Sequence, residues 1–397
     1  MFTQDRWLLP EGIEEVYPQE AERLECLRRS ILDLFARWGY RLVIPPMIEF
    51  LESLLVGTGH DLDLQTFKLI DQLSGRMMGL RADMTPQVAR IDARGLHSDL
   101  PTRLCYLGTV LHTQADHLEK SRSPMQVGAE LYGHGGPASD LEIIRLMLEM
   151  MAVAGVERVH LDLGHVGIYR HLAGLAGLDQ AQEAALFEIL QRKDRTELQC
   201  FIAELVLPAE IAEMLLALMD LNGGEKVLEI ARQHLVAAGE SVGAALAELE
   251  TLWNSLRGHF PSLPIHFDLT ELRGYHYQTG VVFAAFTPNY GREIARGGRY
   301  DDIGKAFGRA RPATGFSADL KVLARLSVLV EEGCNEAIFA PALEDADLET
   351  AVRDLRSQGR CVIRELTGQS GGARVMGCGH VLRRREGEWI VSPVEEV

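Results

Sequence analysis

Two glycines followed by three side chains able to do chemistry, Gly297-Gly298-Arg299-Tyr300-Asp301, form a dense cluster in the sequence. Glycine lets a ligand or a second backbone come close, so charged and aromatic groups beside such a pair mark a strand end or a recognition surface. Alone, the cluster reads as a bulge where a strand stops. It belongs to an ordered series, however. Leu80-Arg81-Ala82-Asp83-Met84-Thr85 comes first, then Tyr106-Leu107-Gly108 and Gln126-Val127-Gly128-Ala129-Glu130. Arg273-Gly274-Tyr275-His276-Tyr277-Gln278-Thr279-Gly280 precedes the cluster, and Thr314-Gly315-Phe316 follows it, leading into a helix. Carboxylates, amides, an arginine and tyrosines are the groups that hold a small polar ligand by directed hydrogen bonds.

Other chemistries lack their residues. Gly371, Gly372, Gly377 and Gly379 have no following Lys-Ser/Thr, so they read as a turn and not a phosphate-cradling loop. Cys26, Cys105, Cys200, Cys334, Cys361 and Cys378 show no CxxC or Cys-His spacing, so no disulfide framework and no metal centre is expected. Buried thiols in a reducing cytoplasm fit that usage.

The elements that must position these groups follow from periodicity. Leu24, Leu27, Ile31, Leu34, Phe35 and Trp38 recur at three and four, predicting a helix that opens at Pro18 and stops at Gly39. Tyr40 to Ile44 reads as a strand ended by Pro45-Pro46, and Thr85-Pro86 as the capped start of a short helix running to Gly95. Arg103 to Val110 and Val159 to Leu163 read as strands; between them Ser139 and Glu142 form a capping box for a helix closed by Gly155. From about His171 to His259 leucine, alanine and glutamate dominate, punctuated by Pro208 and an Asn222-Gly223-Gly224 turn, which predicts a helical insertion. Strands resume at Ile265 to Leu269, Val281 to Phe286 and Glu293 to Ala295, then a helix at Leu320 to Leu329. A last unit begins at Ala337: a strand, a helix from Asp347 to Ser357, a strand at Cys361 to Glu365 and a hairpin around Gly387.

The chain's 397 residues suggest two or three domains. Forty Lys+Arg against 57 Asp+Glu give a net charge of −17, which opposes a nucleic-acid partner, and Arg383-Arg384-Arg385 reads as a solvated hairpin face. No apolar run reaches the roughly 20 residues of a membrane helix, and Asp5 and Arg6 interrupt the start, so a cytoplasmic protein with no membrane partner is expected.

The ordered series, from about Trp7 to Leu326, resembles the catalytic core of histidyl-tRNA synthetase, a class II synthetase. The resemblance implies an α+β fold: a synthetase-like antiparallel sheet flanked by helices over residues 1–326, a helical insertion at about 171–260, and a small C-terminal α/β domain at 330–397. It implies a self-dimer through the first long helix and the strand ending at Pro45-Pro46. It also implies a pocket for histidine in which Asp83, Thr85 and Gln126 meet the ammonium and Glu130 accepts from the ring. Arg273 would lie near the carboxylate, with Tyr277, Gln278 and Tyr300 completing the pocket.

Departures from the synthetase pattern decide the implied activity. Where the synthetase carries the arginine that holds the α-phosphate of ATP, and a glutamate two residues on, this chain has His112 and Gln114. The second arginine, on the triphosphate, is matched by Val322. A guanidinium is permanently charged and bidentate toward phosphate; histidine is not a permanent cation and valine offers no donor. Loss of both removes groups worth several orders of magnitude in phosphoryl chemistry, so no adenylation and no catalytic residue is expected. In the pocket the family's glutamate is Asp83, its aspartate His276 and its second tyrosine Gln278.

Leu80-Arg81-Ala82-Asp83-Met84-Thr85-Pro86-Gln87 and the shortened tail are closer to the regulatory-subunit family of ATP phosphoribosyltransferase, a paralogue of the synthetase. That resemblance implies a hetero-octamer with the short catalytic subunit, a requirement for its activity, and a part in histidine feedback on the first step of histidine biosynthesis. No cofactor is implied. A divergent histidyl-tRNA synthetase or amino-acid ligase is the alternative, and an RNA-binding relic a third reading.

Overall fold

The computed structural model describes residues 8–56, 60–115, 121–270, 277–288, 290–329 and 337–394. The chain divides into two compact units, Met1–Val328 and Leu329–Val397. In the first, the strands are β1 (Arg41–Leu42), β2 (Ile48–Phe50), β3 (Lys68–Ile70), β4 (Met77–Leu80), β5 (Thr102–Thr109) and β6 (Met125–Tyr132). They continue as β7 (His160–His165), β8 (Asn222–Gly223), β9 (Ile265–Asp268), β10 (Val281–Phe286), β11 (Ala295–Arg299) and β12 (Ala313–Asp319). Nine of them form one sheet in the order β1-β5-β6-β12-β11-β10-β7-β9-β8, while β2, β4 and β3 form a small second sheet. The large sheet is antiparallel except at β1–β5 and β7–β9, which pair in parallel.

Alternation along the strands separates two buried faces. Val127, Ala129 and Leu131 of β6, with Phe316 and Ala318 of β12, join a core formed with the helices Pro18–Arg37 and Pro137–Val153. The helix Pro18–Arg37 buries Leu24, Leu27, Ile31, Leu34 and Phe35, the stripe predicted from spacing. The opposite face carries Gln126, Gly128 and Glu130, and there Tyr106, Tyr132 and Tyr300 pack with Met84 and Val88 in a separate core. The predicted insertion is helical, from Val166–Leu175 through Glu240–His259, and its leucines close onto the main core.

Three local readings are corrected. Ser139 caps nothing: its hydroxyl donates to the carbonyls of His134 and Gly136, and Glu142 accepts Arg103 and Tyr40 instead. Asn222-Gly223 is not a free turn, because it pairs as β8 with Asp268 and Phe267. The helix from Thr85 is capped from Asp83, whose carboxylate accepts the Thr85 amide at 3.0 Å, and its end continues as a π-helix, Ile91–Leu96.

The second unit has β13 (Ile338–Ala340), β14 (Val362–Arg364), β15 (His380–Arg385) and β16 (Glu388–Pro393) in the order β14-β13-β15-β16. Ile338, Ala340, Val362 and Leu382 pack against Leu348 and Val352 of the helix Ala346–Ser357. Asp345 caps that helix by accepting from the Asp347 and Leu348 amides. Glu386 and Gly387 turn the β15–β16 hairpin with positive φ, as that sequence predicts.

Candidate functional site

Glu130 is the chemical centre of the site face. It is 1% exposed, and the hydroxyls of Tyr106 (3.0 Å) and Tyr300 donate to its two oxygens. Burial pushes its carboxyl up to about 8; the two tyrosine bonds oppose that rise and the nearby Asp83 adds to it. The room it occupies is cut by glycine. A Cβ on Gly315, directly across on β12, would stand 1.5 Å from Glu130 Oε2, and one on Gly128 would stand 2.5 Å from the Tyr106 hydroxyl.

Beside Glu130, Asp83 and Gln126 lock the end of the β4 loop to β6. Gln126 Nε2 donates to Asp83 Oδ1 at 2.8 Å, and Gln126 Oε1 accepts the Met84 amide at 2.9 Å. Thr85 Oγ1 lies 3.1 Å from the Tyr106 hydroxyl, joining this loop to the Glu130 network. Tyr300 is fixed from behind: the preceding Arg299 reaches the other side of the sheet and donates to Asp140, Ser139 and the Gly136 carbonyl. Tyr277 meets Tyr300 edge to face at 6.4 Å between centroids. Gln278 is 5% exposed against Gly298, and its Oε1 has no hydrogen-bond partner among the described residues.

One cleft of about 500 Å³ joins these groups, bordered by Asp83, Thr85, Gln126, Glu130, Tyr277, Gln278 and Tyr300. Seven of the eight expected residues therefore face one cavity; Arg273 and His276 lie outside the described residues. Gly297 and Gly298 lie within β11, a regular strand and not a bulge, and a Cβ on Gly297 would stand 2.2 Å from the Gly315 carbonyl. Two participants escaped the sequence reading. Tyr106 opens the Tyr106-Leu107-Gly108 motif, and its place opposite Gly128 makes it a partner of Glu130. Arg296 was passed over, although it shares the two-residue period of Gly298 and Tyr300.

The same cleft continues past His112, Gln114 and Val322. His112 Nε2 lies 3.0 Å from the Ala82 carbonyl, and Val322 is 5% exposed in the main core. Arg81, which is buried, spends its donors on the Thr109 and Pro45 carbonyls. Arg292 and Arg296 line the cleft together with Asp83, Glu130, Glu293 and Asp319, and Arg296 pairs with Glu293.

Residues 12–323 match the histidyl-tRNA synthetase family, and residues 335–392 match the C-terminal domain of ATP phosphoribosyltransferase subunit HisZ. The ATP phosphoribosyltransferase regulatory subunit of Methylococcus capsulatus is 65% identical over 394 residues, 99% of this chain and 97% of that protein. The chain belongs to the ATP phosphoribosyltransferase regulatory-subunit family. Its counterpart in Thioalkalivibrio sulfidiphilus is 60% identical, covering 99% of this chain and all (100%) of that one. Among solved structures, a Bacillus halodurans protein described as an ATP phosphoribosyltransferase regulatory subunit/histidyl-tRNA synthetase superposes with a TM-score of 0.83 at 29% identity, over 96% of this chain and 99% of that one. Histidyl-tRNA synthetase from Nostoc shares the fold at 18% identity, with a TM-score of 0.78 over 98% of this chain and 97% of that one. As in this family, the chain is a regulatory subunit built on a synthetase frame. No helix among the described residues is long and apolar enough to cross a membrane.

Proposed function

We propose that the chain acts in the cytoplasm as the non-catalytic subunit that a short-form ATP phosphoribosyltransferase requires, and that its cleft holds histidine as the feedback signal on the first step of histidine biosynthesis. The observation that carries this reading is the remodelled cleft. Its inner end keeps a buried acid ringed by tyrosines, suited to an imidazole, while farther along it is lined by His112 and Val322, the residues that the synthetase resemblance matches to the ATP arginines. Among the described residues, the two arginines that border it share its lining with the carboxylates of Asp83, Glu293 and Asp319 and the protonated Glu130, so these residues offer a triphosphate no net positive charge. Affinity for one zwitterionic amino acid survives that balance; a polyanion does not.

Added to a short-form catalytic subunit, the purified chain is expected to co-elute with it and raise phosphoribosyl transfer from a near-silent level. No co-elution and no change in rate would overturn the reading. Histidine-dependent exchange of pyrophosphate into ATP by the chain alone would instead establish the synthetase alternative.

The self-dimer and the hetero-octamer belong to the same proposal. The helix Pro18–Arg37 commits its apolar stripe to its own core, so the dimer surface rests on the segment around β1. There Leu42, Ile44, Met47 and Ile48 are 47%, 82%, 37% and 39% exposed in sequence order, an apolar stretch leading from the edge strand β1 of the large sheet to the edge strand β2 of the small one. Light scattering is expected to give twice 44.0 kDa for the chain alone, and Ile44→Glu to give the monomer.

A further inference from the structure

We propose that Arg296 meets the carboxylate of the amino acid in the cleft, opposite Glu130 at the other end. This rests on the reading that the cleft takes histidine, and assigns it a cation. The pairing of the strands puts both residues on one face. Glu130 stands across from Gly315, and Gly315 across from Gly298. Arg296 precedes Gly298 by two residues and lies across from Ser317, so its side chain leaves the sheet on the side of Glu130. With strands about 4.8 Å apart and two residues covering about 6.8 Å, the Cα atoms of Glu130 and Arg296 are separated by about 12 Å.

Between them the floor is Gly128, Gly315, Gly298 and Ser317, all without bulk, and Glu130, Gly298, Gly315, Ser317 and Arg296 border the same cleft. Side chains rising from both ends leave the length of one ring-bearing amino acid over that floor. The floor is an obligate one, since a Cβ on Gly298 would stand 2.9 Å from the Gln278 amide. Glu293 holds Arg296 by a contact to Nη1 at 3.4 Å, while the arginine side chain remains 60% exposed. A guanidinium offers five donors in one plane, a rigid fork whose geometry matches a carboxylate two bonds at a time. Arg273, which the synthetase resemblance puts near the carboxylate, is the competing assignment.

Calorimetry with histidine and with histamine, which has the ring and ammonium but no carboxylate, separates the possibilities. The unaltered chain is expected to prefer histidine. Arg296→Ala should lose about tenfold to a hundredfold in histidine affinity, the worth of a charge-assisted pair, and bind histamine nearly as before. Arg296→Lys should recover part of the loss, keeping the charge without the fork. The assignment is overturned if Arg296→Ala preserves the histidine-to-histamine preference, most directly if Arg273→Ala erases it. No binding of either compound by the unaltered chain would defeat the histidine reading itself, before any variant is compared.

Discussion

Gly315→Ala is expected to empty the cleft while leaving the fold intact. The added methyl would stand 1.5 Å from Glu130 Oε2, 2.5 Å from its Cδ and 2.8 Å from the Ala129 carbonyl oxygen. The last of these belongs to the paired strand and cannot swing aside, so the displacement falls on Glu130 and on the bonds that Tyr106 and Tyr300 make to it. Overpacking of this kind costs about 1–3 kcal/mol, which a core of this size tolerates. Histidine affinity should fall by a hundredfold or more, roughly the loss of two well-placed hydrogen bonds to a charged or polar ligand. In the assembled enzyme the expected result is phosphoribosyl transfer that still depends on this chain but no longer responds to histidine. Gly258→Ala is the matched control. It lies inside the helix Glu240–His259 with nothing within 4 Å of its Cβ, so it should stabilise the chain by about 0.5–1 kcal/mol and leave binding unchanged. If Gly315→Ala bound histidine like the parent, Glu130 would not be part of the site.

What could be read from sequence was what short-range periodicity or a motif's order encodes. The stripe from Leu24 to Phe35, the helical insertion and the hairpin at Gly387 are local patterns with one physical solution each. What misled was local chemistry that a distant partner overrides. Ser139 and Glu142 have the spacing of a capping box, yet Arg103, 39 residues away, and Tyr40, 102 residues away, claim Glu142. Asn222-Gly223 has turn composition, but β9 lies beside it and supplies backbone partners. The strand expected at Glu293 to Ala295 runs from Ala295 to Arg299, because the two glycines that look like a terminus are demanded by the neighbouring Gly315 carbonyl and Gln278. That shift also hid Arg296: as a residue before a strand end it reads as solvated, whereas inside the strand it alternates with Gly298 and Tyr300 and faces the cleft. The buried ring of tyrosines around Glu130 was likewise invisible, since it joins β5, β6 and the end of β11.

Glu130→Gln is expected to change how the chain responds to pH. The Glu130 carboxyl is pushed from 4.5 up to about 8 by burial, against the pull of the Tyr300 and Tyr106 hydroxyls, with Asp83 raising it further and Thr85 lowering it. The unfolded chain gives up this proton near the ordinary glutamate value; the folded chain keeps it until about 8. The stability it contributes is therefore complete below the unfolded value, declines through the interval, and is lost as pH rises past about 8. A shift of that size corresponds to about 3–5 kcal/mol across the interval. Glutamine keeps one acceptor and adds a donor but carries no proton to lose. Urea unfolding should thus show the parent losing stability from pH 5 to pH 9 relative to Glu130→Gln, by about 3 kcal/mol or more. Parallel curves would mean that the carboxyl is ionised throughout. Histidine binding should follow the same proton. A neutral ring on a protonated Glu130 and an imidazolium on its carboxylate hold the same single proton, so affinity is greatest between the ring's own pKa of about 6.5 and the carboxyl's. Below that interval the pair has a proton too many, and above it one too few; in Glu130→Gln only the lower limb, set by the ligand, should remain.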